Sequence, residues 1–141
     1  MTMDAKRKIL LQEIKPPAKA DEDDDIEWIC RSLSLFTKKD TDKSAYKVFR
    51  ILLKSSFSGE PKTSTEIADE LNLARGTVLF HMKKFYDSGL VERAPGRRYV
   101  LRESSLEDTI EEMMRDSERI FERMRKIAAG IDKEFGFEKR W

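Results

Sequence analysis

The feature that most constrains this chain of 141 residues is a pair of short amphipathic segments, separated by a tight turn, between Thr63 and Gly89. The first segment begins with hydroxyl residues that cap helices, and Glu66 follows them in a pattern close to a capping box. Asn72 ends this segment, because Asn tolerates the left-handed backbone that a tight turn needs. A second helix is predicted over residues 74–88, where Ser88-Gly89 stops it. Its predicted buried side comprises Val78, Leu79, Met82 and Phe85.

A hairpin is predicted directly after the second helix. Residues 90–93 have the pattern of a strand, Ala94-Pro95-Gly96 that of a turn, and residues 97–102 that of the returning strand. Two short helices joined by a turn of about three to four residues have the spacing of a DNA-reading pair, and an arginine-tipped hairpin beside them makes a wing. The predicted fold is therefore mainly α with a small β-hairpin (α+β), a winged helix-turn-helix with a long C-terminal dimerisation helix.

Positive charge is concentrated in this part of the chain. Residues 72–102 contain seven basic and two acidic residues, a net charge of +5, whereas the whole chain carries only +1. A local excess of positive charge is typical of a surface that meets phosphate groups. The sequence therefore predicts double-stranded DNA as the partner of this segment.

The segment LNLARGTVLFHMKKFYDSGLVERAPGRRYVL resembles the winged-helix core of ArsR-type and MarR-type transcriptional regulators, and the ArsR-like proteins of archaea are the closest in pattern. The resemblance spans residues 46–101 and implies a homodimer whose second helices enter successive major grooves of DNA. Its most specific positions, which precede the arginine-rich wing, are Leu71, Leu73, Thr77, Val78, His81, Lys83, Lys84, Gly89, Leu90 and Val91.

The chain departs from these families in two ways. ArsR-type metal sensors carry paired cysteines or histidine clusters, whereas this chain has one Cys and one His. Metal sensing is therefore not carried over, and neither a metal nor a cofactor is predicted. Many relatives also have polar residues where this chain has Leu79 and Phe80.

The residues predicted to contact DNA lie on the second helix, at the start of the first helix and on the wing. Arg75 is the predicted base-reading residue, because a guanidinium fork pairs with guanine and the start of the helix is where base edges are reached. The wing arginines are predicted to reach the minor groove or the backbone, and the hydroxyl and lysine side chains to position phosphates. The whole predicted set is Ser64, Arg75, Thr77, Phe80, His81, Lys83, Lys84, Arg97 and Arg98.

Two members of this set have a second interpretation. Phe80 either touches a thymine methyl group or contacts the partner subunit or another protein. His81 lies at the edge of the buried face, where it either packs or touches phosphate, and no second ligand for a metal is in sight.

A long C-terminal helix is predicted after the wing, capped by Ser104 or Ser105 and ended by Gly136, with Phe137 and Trp141 as an aromatic tail. Apolar residues recur along it at alternating steps of four and three, which is a coiled-coil pattern. So long a stripe cannot be buried on one small domain, so it is predicted to form the dimer interface, with packing inside one chain as the alternative. The predicted dimerisation residues are Leu106, Ile110, Met113, Ile120, Met124, Ile127 and Ile131.

The chain before the winged domain is predicted to be an arm and a supporting helix. Residues 1–15 form a short helix or a strand that docks on a partner subunit, and Pro16-Pro17 breaks it. The acidic run at 21–25 is either a solvated tether that caps the next helix or an arm that competes with DNA for the basic face. A helix follows over Ile26–Phe36, with Cys30 in the core and Trp28 against the partner subunit. A scaffold helix then begins at Asp40-Thr41-Asp42 and runs to about residue 56.

Several classes of protein are excluded by composition. A single Cys leaves no internal disulfide framework and favours a reducing cytoplasm. No apolar run approaches the roughly 20 residues of a membrane span. The six glycines are scattered, and one His with one Cys cannot supply a typical nucleophile-and-base pair, so an enzyme is not predicted.

The sequence thus predicts an arm over residues 1–25, a winged domain over 26–102 and a dimerisation helix over 103–141. The predicted function is sequence-specific DNA binding by a homodimeric transcriptional regulator, with residues 74–88 in the major groove and 90–102 on the backbone or minor groove. The alternative is a winged-helix module that binds another protein through Leu79 and Phe80.

Overall fold

The computed structural model of the protein describes residues 5–19, 21–36 and 43–136. Within these ranges, five helices and one small sheet follow each other along the chain. They are α1 (Glu22–Ser32), α2 (Ser44–Phe57), β1 (Lys62–Thr63), α3 (Ser64–Leu71), α4 (Arg75–Ser88), β2 (Val91–Ala94), β3 (Arg98–Leu101) and α5 (Leu106–Glu134). The predicted α+β winged helix with a long C-terminal helix is confirmed.

The core lies where α2, α3 and α4 meet the sheet. Val78, Met82 and Phe85 of α4 are fully buried, as predicted. The ring of Phe85 meets that of Phe49 on α2 edge to face, with centroids 5.6 Å apart. Leu79 was predicted on this buried side but is 37% exposed. It follows Val78 by about 100° around the helix axis, which turns its side chain toward solvent.

A capping box starts α3. The Thr63 hydroxyl accepts a hydrogen bond from the Glu66 N–H at 3.1 Å, and the Glu66 carboxylate accepts one from the Thr63 N–H at 3.3 Å. The Thr63 backbone and hydroxyl hydrogen bonds hold the pKa of Glu66 below its ordinary value. Asn72 ends α3 at φ +56° and Gly89 ends α4 at φ +87°, so both predicted helix ends are confirmed.

Replacing Thr63 by Ala is expected to lower the free energy of unfolding by about 1 kcal/mol, because the Glu66 N–H loses its acceptor. Chemical denaturation would measure the change. Thr65→Ala is the control, since Thr65 is exposed in the first turn of the same helix. Equal effects of the two substitutions would contradict a role for the cap.

The wing belongs to a three-stranded antiparallel sheet of order β1-β3-β2, not to a hairpin alone. β2 and β3 pair from Val91 opposite Leu101 to Ala94 opposite Arg98, around the predicted turn. β1 pairs with the other edge of β3, where Lys62 faces Tyr99. Two residues are too few to show the alternation that marks a strand, so β1 had no sequence signal.

α1 begins at Glu22, four residues before the predicted start at Ile26. The acidic run is the first turn of this helix, and the Asp21 carboxylate caps it by accepting hydrogen bonds from the Asp23 and Asp24 N–H groups. Negative charge stabilises a helix N-terminus, so the predicted capping of this helix by the acidic run is confirmed, and residues 22–25 belong to the helix itself and not to a tether or an arm before it. Cys30 is a buried core residue, as predicted, and burial, with the charge of Glu27, raises the pKa of its thiol to about 12.

Residues 5–19 pack on their own chain as an extended segment without helix or strand. The Lys8 N–H donates to the Asp87 carbonyl and the Gln12 N–H to the Ser32 carbonyl, each at 2.8 Å. These carbonyls lie at the C-terminal ends of α4 and α1, where acceptors lack helical partners. The Trp28 indole donates to the Ile14 carbonyl at 3.0 Å. The predicted short helix or strand is therefore wrong for residues 5–15, and the arm and Trp28 contact their own chain, while docking on a partner subunit stays a prediction.

α5 is about 43 Å long and only its first half packs on the winged domain. The Ser105 hydroxyl caps it by accepting from the Asp108 N–H at 3.0 Å, and Gly136 follows its end at φ +70°, both as predicted. Met113 is buried, and Leu106 and Ile110 pack against the core. Met113, predicted at the dimer interface, is thus a core residue, and Leu106 and Ile110 are partly buried against the core, because heptad spacing defines an apolar face and not what covers it.

Two structural predictions fall on residues outside the described ranges. The predicted helix start at Asp40-Thr41-Asp42 and the aromatic tail at Phe137 and Trp141 lie outside the described residues. Among the helices of the described ranges, none combines the length and the apolar content that crossing a membrane requires.

Candidate nucleic-acid interface

The outer face of α4 carries the first group of candidate residues. Arg75 is the first residue of the helix and is exposed, and Phe80 is 57% exposed further along. The Lys84 ammonium lies 4.5 Å from the centroid of the Phe80 ring, a cation–π distance that holds both side chains together on the surface. A cation, an aromatic ring and a guanidinium are therefore presented along one helix.

The start of α4 is open to an approaching backbone. Its N-cap is Ala74, which makes no side-chain hydrogen bond to the first turn. The positive end of the helix dipole is then available to an anion such as a phosphate group. Gly76 follows one residue after Arg75, and a Cβ atom built on it meets no atom within 4 Å.

The candidate residues Thr77 and Lys83 already make contacts within the protein. Thr77 is half-buried in the first turn of α4, and its N–H donates to the Ala74 carbonyl at 3.0 Å. The Lys83 ammonium pairs with the Asp87 carboxylate at 2.9 Å on the exposed surface. An exposed pair of this kind is worth well under about 1 kcal/mol, so a phosphate could displace Asp87.

The tip of the wing carries the second group, Arg97 and Arg98, both exposed. Arg97 has φ +59° and Gly96 before it has φ +80°, so the turn reverses through two left-handed residues. The Arg98 guanidinium donates to the Pro95 carbonyl at 3.2 Å, which orients it along the turn. The wing therefore presents two guanidinium groups beyond the edge of the sheet.

Two predicted DNA contacts lie apart from this surface. The side chains of Ser64 and His81 are buried, at 5% and 6% exposure, and phosphate cannot reach them. His81 follows Val78 by three positions and so shares its inward face, and its Nε2 atom lies 2.7 Å from the Ser44 hydroxyl. His81 is therefore a packed residue and not a phosphate contact.

Arg93 is a candidate that the sequence reasoning left out. It is exposed on β2, and its guanidinium lies 5.0 Å from the centroid of the Tyr86 ring. Its only sequence signal was its share in the local positive charge. Within the described part of the chain, no group of three or more His, Cys, Asp or Glu residues is placed to hold a metal ion.

Comparison with known proteins gives one match. A family model described as a helix-turn-helix domain matches residues 41–94, which include the helix pair and the first strand of the wing. No curated protein and no solved structure matches the chain. The match and the fold together support a DNA-binding helix-turn-helix domain of the winged type.

Proposed function

We propose that the protein is a homodimeric transcriptional regulator that binds double-stranded DNA by sequence, with α4 in the major groove. The observation that carries this proposal is the outer face of α4, where Arg75, Phe80 and Lys84 are presented at the surface of a helix-turn-helix domain. The local net charge of +5 over residues 72–102 would attract the phosphate backbone.

Each part of the surface would have its own role. Arg75 would read a guanine through its bidentate fork, while Phe80 would contact a thymine methyl group. Thr77, Lys83 and Lys84 would position phosphates, and the wing would place Arg97 and Arg98 on the backbone or in the minor groove. Two copies on a palindromic site would act sterically, blocking or recruiting polymerase in the cytoplasm, without a cofactor.

The second half of α5 would join the two copies. Its apolar residues Ile120, Met124, Ile127 and Ile131 keep the predicted spacing and are all exposed in one chain. An apolar stripe left open in this way marks an interaction surface. The arm and the winged domain would then form one body, with the distal part of α5 as the dimerisation element.

Binding to the DNA upstream of its own gene, compared with a random duplex at two salt concentrations, tests this function. Arg75→Ala is expected to weaken binding to the specific duplex roughly tenfold to a hundredfold and to leave random-duplex binding nearly unchanged. Reversing the charges of Arg97 and Arg98 should weaken both duplexes evenly and flatten the salt dependence. Arg31→Ala, at an exposed position of α1, is the control. No binding to either duplex at low salt, with an intact dimer, would contradict the proposal.

Gly76→Ala separates stability from DNA binding. The substitution is expected to raise the free energy of unfolding by about 0.5–1 kcal/mol, because Ala is the better helix former and the site is open. The added methyl group should nevertheless weaken DNA binding, since it lies where the DNA backbone would approach the start of α4. Thermal unfolding and DNA titration of the same sample measure both effects. Unchanged or tighter DNA binding would show that the DNA backbone does not approach the start of α4.

The second candidate function is a module that binds another protein through Leu79 and Phe80. The exposure of these two apolar side chains, 37% and 57%, favours it. Apolar docking changes little with salt, whereas phosphate neutralisation makes affinity fall steeply as salt rises. Salt dependence therefore separates the two functions directly.

A further inference from the structure

A second cationic surface lies where the arm, the end of α4, the base of the wing and α5 meet. It forms a cavity of about 600 Å³, within the range of about 300–1,000 Å³ that small-molecule sites occupy. Most of its lining side chains are basic. The lining residues are Lys6, Arg7, Tyr86, Arg102, Asp116, Arg119, Ile120 and Arg123.

The one carboxylate in this lining is already shared by three guanidinium groups. Asp116 has a side chain only 1% exposed, and Arg102 holds it with two hydrogen bonds of 2.5 and 3.3 Å. The Arg7 Nε atom lies 3.3 Å from the same carboxylate, and Arg119 also contacts it. Burial acts to raise the pKa of Asp116, but the hydrogen bond and charge of Arg102, with Arg7 and Arg119, outweigh burial and lower it. Asp116 is therefore ionised and has no capacity left for a further cation.

Positive charge remains in excess after the neighbouring acids are counted. Glu92 lies 3.7 Å from Arg7, and Glu112, which contacts Arg115, also acts on Arg102 through its charge. Against the five basic lining residues stand Asp116, Glu92 and Glu112, which leaves an excess of two positive charges among the described residues. Like charges held this close are unfavourable unless an anion joins them.

Two of the guanidinium groups are fixed before any ligand arrives. Arg7 donates to the Tyr86 carbonyl at 3.4 Å and Arg102 to the Gly89 carbonyl at 3.5 Å. A Cβ atom on Gly89 would lie 2.8 Å from the Arg102 guanidinium, so glycine at this position permits the close approach. The contacts also tie the cavity to the last turn of α4.

We propose that this cavity binds a phosphate-bearing anion. Guanidinium groups match phosphate oxygens in bidentate geometry, and the Tyr86 ring offers an apolar wall to the rest of a ligand. The phosphate belongs either to a free small molecule or to the DNA backbone. Tyr86 lies eleven residues from Arg75, about 16 Å along the helix, which favours a small molecule over the DNA that Arg75 would contact. Such a ligand would act on the end of the recognition helix and thus as an effector.

Titration of the full-length protein with inorganic pyrophosphate at constant ionic strength, followed by calorimetry, tests the site. Wild-type protein is expected to bind saturably, with one ligand per chain. Arg123→Gln should lower the affinity at least about tenfold, since it removes one charged donor from the wall. Arg125→Gln is the matched control: it removes the same charge two residues along α5, from a side chain that pairs with Glu122. Absence of saturable binding, or equal losses in both variants, would overturn the proposal.

The source of the phosphate is decided by DNA titration of the same two variants in phosphate-free buffer. Equal DNA affinities of Arg123→Gln and Arg125→Gln support a free small molecule. Weaker DNA binding by Arg123→Gln alone, with pyrophosphate competing against DNA, overturns the small-molecule site in favour of the DNA backbone. If the wild type does not bind pyrophosphate and Arg123→Gln changes the monomer–dimer equilibrium, the cavity is filled by a carboxylate of the partner subunit. The proposal then fails. Because pyrophosphate binding is measured on the protein without DNA, its result tests the cavity independently of the proposed DNA-binding function.

Discussion

Replacing Asp116 by Asn is expected to lower the free energy of unfolding by roughly 3 kcal/mol at neutral pH. The carboxylate is buried and is the common partner of Arg7, Arg102 and Arg119. Asn keeps the shape of the side chain but removes the charge, so Arg102, whose side chain is only 12% exposed, loses its hydrogen-bonded counter-ion. The loss falls at the lower end for a buried ion pair because Arg119 reaches solvent.

The pH dependence of this loss follows from the lowered pKa of Asp116 in the folded state. A carboxyl group whose pKa is depressed on folding contributes stability above its unfolded pKa of about 3.9, and that stability is lost as the pH falls through the folded value. Wild-type protein should therefore lose this contribution below about pH 4. The gap between wild type and Asp116→Asn should be widest near neutral pH and should close in acid.

Chemical denaturation at neutral pH and at about pH 3 would measure both effects. Asp132→Asn is the control, since Asp132 is exposed on the same helix and should change the free energy of unfolding by less than about 0.5 kcal/mol. Asp116 and its partners Arg7, Arg102 and Arg119 form what we call the Asp116 cluster. A loss that is equally large in the control, or that stays constant down to acid pH, would show that this cluster does not hold the arm, the wing and α5 together.

The helix pair and the wing could be predicted from the sequence because their signals are local. Thr63 with Glu66 marks a helix start within four residues, and Asn72 and Gly89 mark helix ends through their backbone preference. The periodicity of Val78, Met82 and Phe85 then fixes which face of α4 is buried.

The Asp116 cluster could not be predicted, because its members come from distant parts of the chain. Arg7, Arg102 and Asp116 meet only after the arm has crossed the end of α4, and no spacing in the sequence records that contact. The docking of the arm on the carbonyls of Ser32 and Asp87 is non-local in the same way.

The exposure of Arg75 and Phe80, at the centre of the candidate DNA surface, could be predicted from the sequence. The burial of His81 and Ser64, at its edges, could not. Arg75 and Phe80 point outward by helical geometry alone, and the structure leaves both exposed. His81 stands at the border of the buried face, where the contact with Ser44 on another helix decides its orientation. Ser64 starts a helix whose orientation against the domain, not its own propensity, decides whether a hydroxyl reaches solvent.

If the protein is the homodimer proposed above, replacing Ile127 by Glu is expected to make it a monomer and to weaken DNA binding about a hundredfold or more. A monomer contacts one half-site, and it loses the effective concentration through which the first bound domain favours the second. Ile127 is 65% exposed in one chain and lies between Met124 and Ile131 on the apolar stripe. A carboxylate buried between two such stripes would have no counter-ion and would oppose association.

The distal half of α5 has little within its own chain to stabilise it. Past the part of α5 that packs on the winged domain, the helix is held by short-range ion pairs such as Arg125 with Glu122, which stabilise little at an exposed surface. Isolated helices of about 15 residues are marginal in water, so helix content in this segment should depend on association. Circular dichroism of Ile127→Glu is therefore expected to show a loss of helix as well.

Ala129→Glu provides the matched control for the dimer. It introduces the same charge two residues along the helix, about 200° around the axis from Ile127 and so away from the stripe. Sedimentation equilibrium would give the oligomeric state of both variants, and DNA titration would give their affinities. Dimers in the control and monomers in Ile127→Glu are expected. A wild type that stays monomeric at micromolar concentration and binds DNA as tightly as Ile127→Glu would contradict the dimer, because the exposed stripe would then serve neither association nor DNA recognition.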